Sequence, residues 1–143
     1  MQAALDEAEA AARRGETPVG AVLVRAGKII ATDGNRVRAL NDPTAHAEIL
    51  VLRAAAAALG TERLLDCDLY VTLEPCAMCA GAISLARIRR LYYAAPDPKG
   101  GGVDHGPRFF TQPTCHHAPE VISGLEEAAA ARLLRQFFQG LRG

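Results

Sequence analysis

A three-layer α/β/α sandwich around a five-stranded mixed sheet is the fold this sequence predicts, on three observations. Apolar residues recur with helical and then strand-like period in alternating segments, helix first. The first two strand-like runs are separated only by Ala26-Gly27, which spells a tight hairpin and makes them antiparallel neighbours. The length, 143 residues, suits a single domain over 1–143, with no repeat or linker inside it.

Each element has its own reason. Leu5, Ala8 and Ala12 recur at helical spacing and Gly15 and Pro18 stop the segment, which predicts a helix over 2–14. Val19 to Arg25 and Lys28 to Asp33, rich in Val and Ile, are the hairpin strands. A polar turn from Gly34 to Asp42 leads through Pro43-Thr44 to a second helix, where Ile49, Leu52, Ala56 and Leu59 share a face until Gly60 ends it. His46 and Glu48 therefore fall in its opening turn. Asp68 to Leu73 is the third strand, and a third helix is expected from near Cys76 to about Ala86, because Pro75 suits a first turn. Arg90 to Ala95 reads as the fourth strand. Pro96 to Thr114, rich in Gly and Pro and without a period, is a long loop of the kind that carries function in compact domains. A fifth strand over Glu120 to Ser123 and a last helix from Leu125 to Gln139, with Leu133/Phe137 and Leu134/Phe138 at i,i+4, complete the chain.

Composition narrows the function classes. Half of the residues are apolar, yet the longest apolar stretch, Ala45 to Leu59, is broken by Glu48 and Arg53, too soon for a membrane span. Met1 to Glu7 carries early acids and lacks the basic and apolar parts of a secretory signal. The expectation is a soluble, cytoplasmic protein with no membrane partner. The formal net charge is zero, so any nucleic-acid site must be a local basic patch. Arg36, Arg38, Arg87, Arg89, Arg90, Lys99 and Arg108 are the candidate phosphate contacts, with ordinary solvated charge as the alternative. Arg87-Ile88-Arg89-Arg90 could instead serve a dimer interface.

The chemistry lies in His46-Ala47-Glu48 and Pro75-Cys76-Ala77-Met78-Cys79. His46, Cys76 and Cys79 make three zinc ligands, and a zinc site that stops at three protein ligands keeps a position for water or substrate. Glu48 is better used to take and return a proton than as a fourth ligand. Cys76 and Cys79, three apart, share one helix face in a first turn whose free N–H groups favour thiolates. His46 and Glu48, two apart, would diverge by roughly 200° in a regular helix, so they converge only if His46 stands at the helix start. A thioredoxin-like reading of Cys76 and Cys79 would leave His46 and Glu48 unexplained. Cys67 and Cys115 read as small buried hydrophobes. A closed, non-catalytic zinc module would need Cys67, Cys115, His116 or His117 as fourth ligand.

H-x-E paired with P-C-x-x-C is the known signature of zinc nucleobase deaminases. Asn41-Asp42-Pro43-Thr44-Ala45-His46-Ala47-Glu48-Ile49 and Tyr70-Val71-Thr72-Leu73-Glu74-Pro75-Cys76-Ala77-Met78-Cys79-Ala80-Gly81-Ala82-Ile83, with Thr17-Pro18-Val19-Gly20 and Gly34-Asn35-Arg36, resemble the bacterial tRNA-specific adenosine deaminases of the TadA family from the first helix to Phe137-Phe138. The resemblance implies a cytidine deaminase-like fold, one zinc per subunit, and hydrolytic conversion of adenosine to inosine at the wobble position of a tRNA anticodon, with release of ammonia. It also implies a homodimer whose subunits both line the groove for the anticodon stem-loop. By the same likeness Glu48 is catalytic, Asn35 hydrogen-bonds the flipped base, Ala47 offers backbone to the reacting edge, Pro75 lies beside the substrate, and Asp97 stands near the target sugar. Asn35 and Asp97 also suit turns in their own right. The chain departs from the best-known members at Lys99 to Phe110 and at His116-His117. Phe109 and Phe110 could stack on anticodon-loop bases or plug the core. A deaminase of free guanine, cytosine or a nucleoside is the alternative function.

Overall fold

The structure is a computed structural model and describes residues 1–142. One sheet holds β1 (Gly20–Arg25), β2 (Lys28–Gly34), β3 (Cys67–Leu73), β4 (Arg90–Ala95) and β5 (Glu120–Ser123), in the order β2-β1-β3-β4-β5. β1 runs antiparallel to both β2 and β3, whereas β3, β4 and β5 are parallel. Ala26 (φ 51°) and Gly27 (φ 76°) supply the two left-handed positions that a two-residue hairpin turn needs to match strand twist.

Helices cover both faces. On one, α3 (Ala47–Leu59) and α4 (Ala77–Ala86) bury Val51, Leu52, Ala80 and Ile83 against Leu69, Val71 and Leu91 of the sheet. Each Val, Leu or Ile side chain so buried contributes roughly 1.5–3 kcal/mol relative to exposure. On the other face α1 (Gln2–Arg13) and α5 (Glu127–Arg142) enclose a smaller core of Leu5, Ala94, Ala95 and Ala130. The buried stripe of α1 is small, Ala4, Ala8 and Ala11, because two sheet glycines come up against it. A Cβ on Gly20 would overlap the carbonyl oxygen of Ala4, and one on Gly34 would lie 2.7 Å from that of Glu7.

The expected strands and helices are present, with three differences. The polar turn after β2 contains a short helix, α2 (Val37–Leu40), too brief for any period to reveal. The last helix begins at Glu127 and not Leu125, because Gly124 (φ 91°) and Glu126 (φ 61°) hold the backbone left-handed before it. The Pro96 to Thr114 segment is irregular apart from a 3₁₀ turn at Phe109–Thr111, yet it is packed: Val103 is buried, and Phe109 and Phe110 both lie against the larger core. Their placement matches the core-plug alternative. No helix among the described residues is long and apolar enough to cross a membrane.

Candidate active site

Two helix N-termini converge at the carboxyl end of β3. His46 is the N-cap of α3, with extended φ and ψ of −72° and 152°, so it stands outside the helix and the divergence of a regular i,i+2 pair does not arise. Cys76 is the N-cap of α4, equally extended at −70° and 174°, and Cys79 follows in the first turn. His46 makes no capping bond to its own helix, and the Cys76 sulfur is engaged by Cys79 and His46.

His46 Nδ1 lies 3.6 Å from Cys76 Sγ and 3.6 Å from Cys79 Sγ. Zn–S bonds of about 2.3 Å and Zn–N bonds of about 2.0–2.1 Å at tetrahedral angles place N and S roughly 3.6 Å apart, so the donors span the edges of a zinc tetrahedron. Two sulfurs and one imidazole suit zinc by softness as well. Among the described residues no fourth His, Cys, Asp or Glu joins this group. Cys67 bonds to the Leu65 carbonyl, Cys115 to that of His117, and His117 Nε2 lies 2.8 Å from the Ile88 carbonyl oxygen. The closed zinc module therefore lacks its ligand.

The protein groups also prepare one another electrically. The hydrogen bond from Cys79, and then that with His46, pull the Cys76 thiol down to about 4 despite burial. The same Cys76 bond, with burial and the Glu48 charge, pushes Cys79 up. His46 is raised, chiefly by its bond to Cys76. Glu48 is buried in the first turn of α3, and that burial pushes its carboxyl up to about 7.

A cavity of about 460 Å³ opens over this group, with His46, Glu48 and Cys76 in its wall. Asn35 and Asp97 line it too, whereas Pro75 and Ala47 do not. Pro75 is fully buried, its carbonyl taking the Gly102 N–H at 2.8 Å. Ala47 is buried and its N–H donates to Asn35 Oδ1 at 2.7 Å, so Asn35 caps α3 from the turn after β2 and keeps its amide N–H₂ for the cavity. Asp97 accepts from the N–H groups of Lys99 and Gly100, the turn-forming role, while facing the same space. Of the basic candidates Arg38 reaches the cavity wall. Arg36 pairs with Asp33, Arg89 with Asp68 and Arg90 with Glu120, and Arg87 donates to the His116 carbonyl.

The family described as the cytidine and deoxycytidylate deaminase zinc-binding region matches residues 1–95. A tRNA-specific adenosine deaminase of Agrobacterium fabrum is 66% identical over 142 residues, covering 99% of this chain and 93% of that protein. The chain belongs to the tRNA-specific adenosine deaminase family. A solved structure from work on A-to-I editing by deaminases at the wobble position of transfer RNA superimposes with a TM-score of 0.93 at 66% identity, over 94% of this chain and 97% of that one. A guanine deaminase from Nitrosomonas europaea superimposes at 0.80 with 29% identity, over 94% and 80%. The five-stranded mixed sheet with its flanking helices is thus the cytidine deaminase-like fold.

Sequence reasoning singled out no role for two buried carboxylates beside this family's zinc motif. Glu16 accepts from the N–H groups of Arg38 and Ala39 at 3.1 and 2.9 Å and so fixes α2 in the cavity wall. Glu74 accepts from the N–H groups of Asp97, Val103, Asp104 and His105 at 3.0–3.2 Å, and its Oε1 lies 2.7 Å from His105 Nδ1. Burial pushes the Glu74 carboxyl up, but these bonds outweigh it and hold it below the usual range. Phe137, Phe138 and Leu141 of α5 close the far side. Carboxylates whose partners are backbone leave no partner pattern in a sequence.

Proposed function

We propose that this protein is a zinc-dependent hydrolase converting adenosine to inosine at the wobble position of a tRNA anticodon, with one zinc ion per subunit. The observation that carries the reading is the three-donor group at the foot of an open cavity with the buried Glu48 beside it, in a chain 66% identical to a tRNA-specific adenosine deaminase. His46, Cys76 and Cys79 hold the zinc, which supplies the Lewis acidity that makes water nucleophilic at neutral pH. Glu48 moves the protons: its carboxylate oxygen takes one from water and delivers it to the adenine ring nitrogen, then carries the second to the departing amine. Ammonia leaves and a carbonyl remains. A carboxyl pushed toward 7 by burial is matched to both halves of that task.

Asn35 presents its free amide to the base, and the Ala47 N–H keeps Asn35 in place. Asp97, at the cavity rim, serves the sugar of the target nucleotide. Pro75 acts at one remove, setting the chain direction into Cys76. The protein acts as a homodimer, and a second copy would cover exposed apolar side chains such as Met78 and Leu85, two turns apart on α4.

The test is incubation of the zinc-loaded protein with an unmodified tRNA bearing adenine at the first anticodon position, then sequencing for adenine read as guanine. Conversion confined to that position, and lost in Glu48→Ala with zinc retained, is the expected result. A second reading, guanine deamination, is favoured by the 0.80 superposition on a guanine deaminase and is measured by ammonia release from free guanine.

A further inference from the structure

The segment Asp97 to His105 has no regular secondary structure, yet it forms part of the cavity wall through Asp97 and Gly100. One carboxylate gathers its two ends, with the Tyr93 hydroxyl to Asp104 and the Gly102 N–H to the Pro75 carbonyl as further ties. Glu74 Oε2 receives three consecutive backbone N–H groups, Val103, Asp104 and His105, the converging arrangement that elsewhere cradles an external anion. Oε1 receives the Asp97 N–H and faces His105 Nδ1 at 2.7 Å. The glycine run lets the chain come this close, since a Cβ on Gly101 would overlap the Glu74 carboxylate and one on Gly102 would lie 2.6 Å from the Ala77 nitrogen. Glu74 is fully buried, whereas the His105 side chain is 36% exposed and is the one side-chain partner in the set.

We propose that Glu74 and His105 are positioning residues of the substrate site: together they hold Asp97 and Gly100 at the cavity rim and so govern substrate capture, not the breaking of the C–N bond. This rests on the reading of the cavity as the site for a tRNA adenosine. The division of labour follows from connectivity. His105 touches the clamp and none of His46, Cys76 or Cys79, so loosening it leaves the metal group and Glu48 in place. Glu74 stands two residues before Cys76, and changing it would disturb both walls at once.

His105 is therefore the position to vary. His105→Leu removes the contact to Glu74 Oε1, and His105→Asn restores a donor near the Nδ1 position. Zinc content, hydrogen exchange of the Asp97 to His105 amides, and KM and kcat on the tRNA are measured for all three proteins. The expected result for His105→Leu is unchanged zinc, about tenfold faster exchange in that segment, KM raised about tenfold and kcat within about twofold, with His105→Asn recovering both changes. Unchanged exchange, or a fall in kcat at constant KM, would overturn the proposal. If the wild-type protein fails to convert tRNA, that sinks the substrate reading, while the exchange measurement still decides whether His105 and Glu74 form the clamp.

Discussion

The two walls of the cavity are built by opposite means. The metal wall comes from two helix starts, α3 and α4, whose N-cap residues His46 and Cys76 are proposed ligands. Each helix is anchored along its length in the larger core by Val51, Leu52, Ala80 and Ile83, so the donors inherit the rigidity of the sandwich. The opposite wall is assembled from the short helix α2, an irregular loop and the end of α5, and it is held by the carboxylates of Glu16 and Glu74 bonding to backbone N–H groups. On the proposed reading, chemistry is placed on regular elements and substrate contact on irregular segments held through their backbone.

The sharpest way to break the metal wall is to remove a ligand. Cys76→Ala or His46→Ala should lose zinc, measured by elemental analysis, and activity with it, and should lower Tm because the two helix starts lose their common anchor. A strong chelator should do the same to the wild-type protein, reversibly on adding zinc back. Glu48→Ala tests the same wall without dismantling it: zinc content and Tm should hold while kcat falls by about 10²–10⁴-fold. Full activity in that variant would remove Glu48 from the proton path.

Smaller effects come from where the walls meet. Gly102→Ala presses a Cβ against the start of α4 and should cost about 1–3 kcal/mol, read as a lower Tm, with zinc still bound. Asn35→Asp is the mildest change, since a carboxylate still accepts the Ala47 N–H while the free amide is lost. Its Tm should stay near the wild type while kcat/KM for the tRNA drops about tenfold, one hydrogen bond's worth. An unchanged kcat/KM would mean that Asn35 acts as a cap alone.

Legibility in the sequence followed the same line. Short apolar runs bounded by turn residues marked every strand because helices bury both faces of the sheet, and the proposed ligands were readable because metal bonding demands particular side chains at fixed spacing. The second wall was not readable. Glu16 and Glu74 could have been solvated acids, since their partners are peptide N–H groups that any residue supplies, and Phe137 and Phe138 looked only like a helix stripe. Asn35 was read as a base contact or a turn residue, and its Oδ1 also holds the start of α3, a relation between the turn after β2 and α3 that spacing does not encode. Gly124 and Glu126 delayed α5 through backbone conformation, which the i,i+4 pattern of Leu133 and Phe137 could not register.

One measurement bears most directly on the central claim, that the metal wall supplies deamination and the second wall admits a tRNA adenosine. Zinc-loaded protein is offered, in parallel, a tRNA with adenine at the first anticodon position and free guanine, with sequencing of the RNA and assay of released ammonia. The account predicts adenine read as guanine at that one position and no ammonia from guanine. Ammonia from guanine with the tRNA unaltered would contradict it.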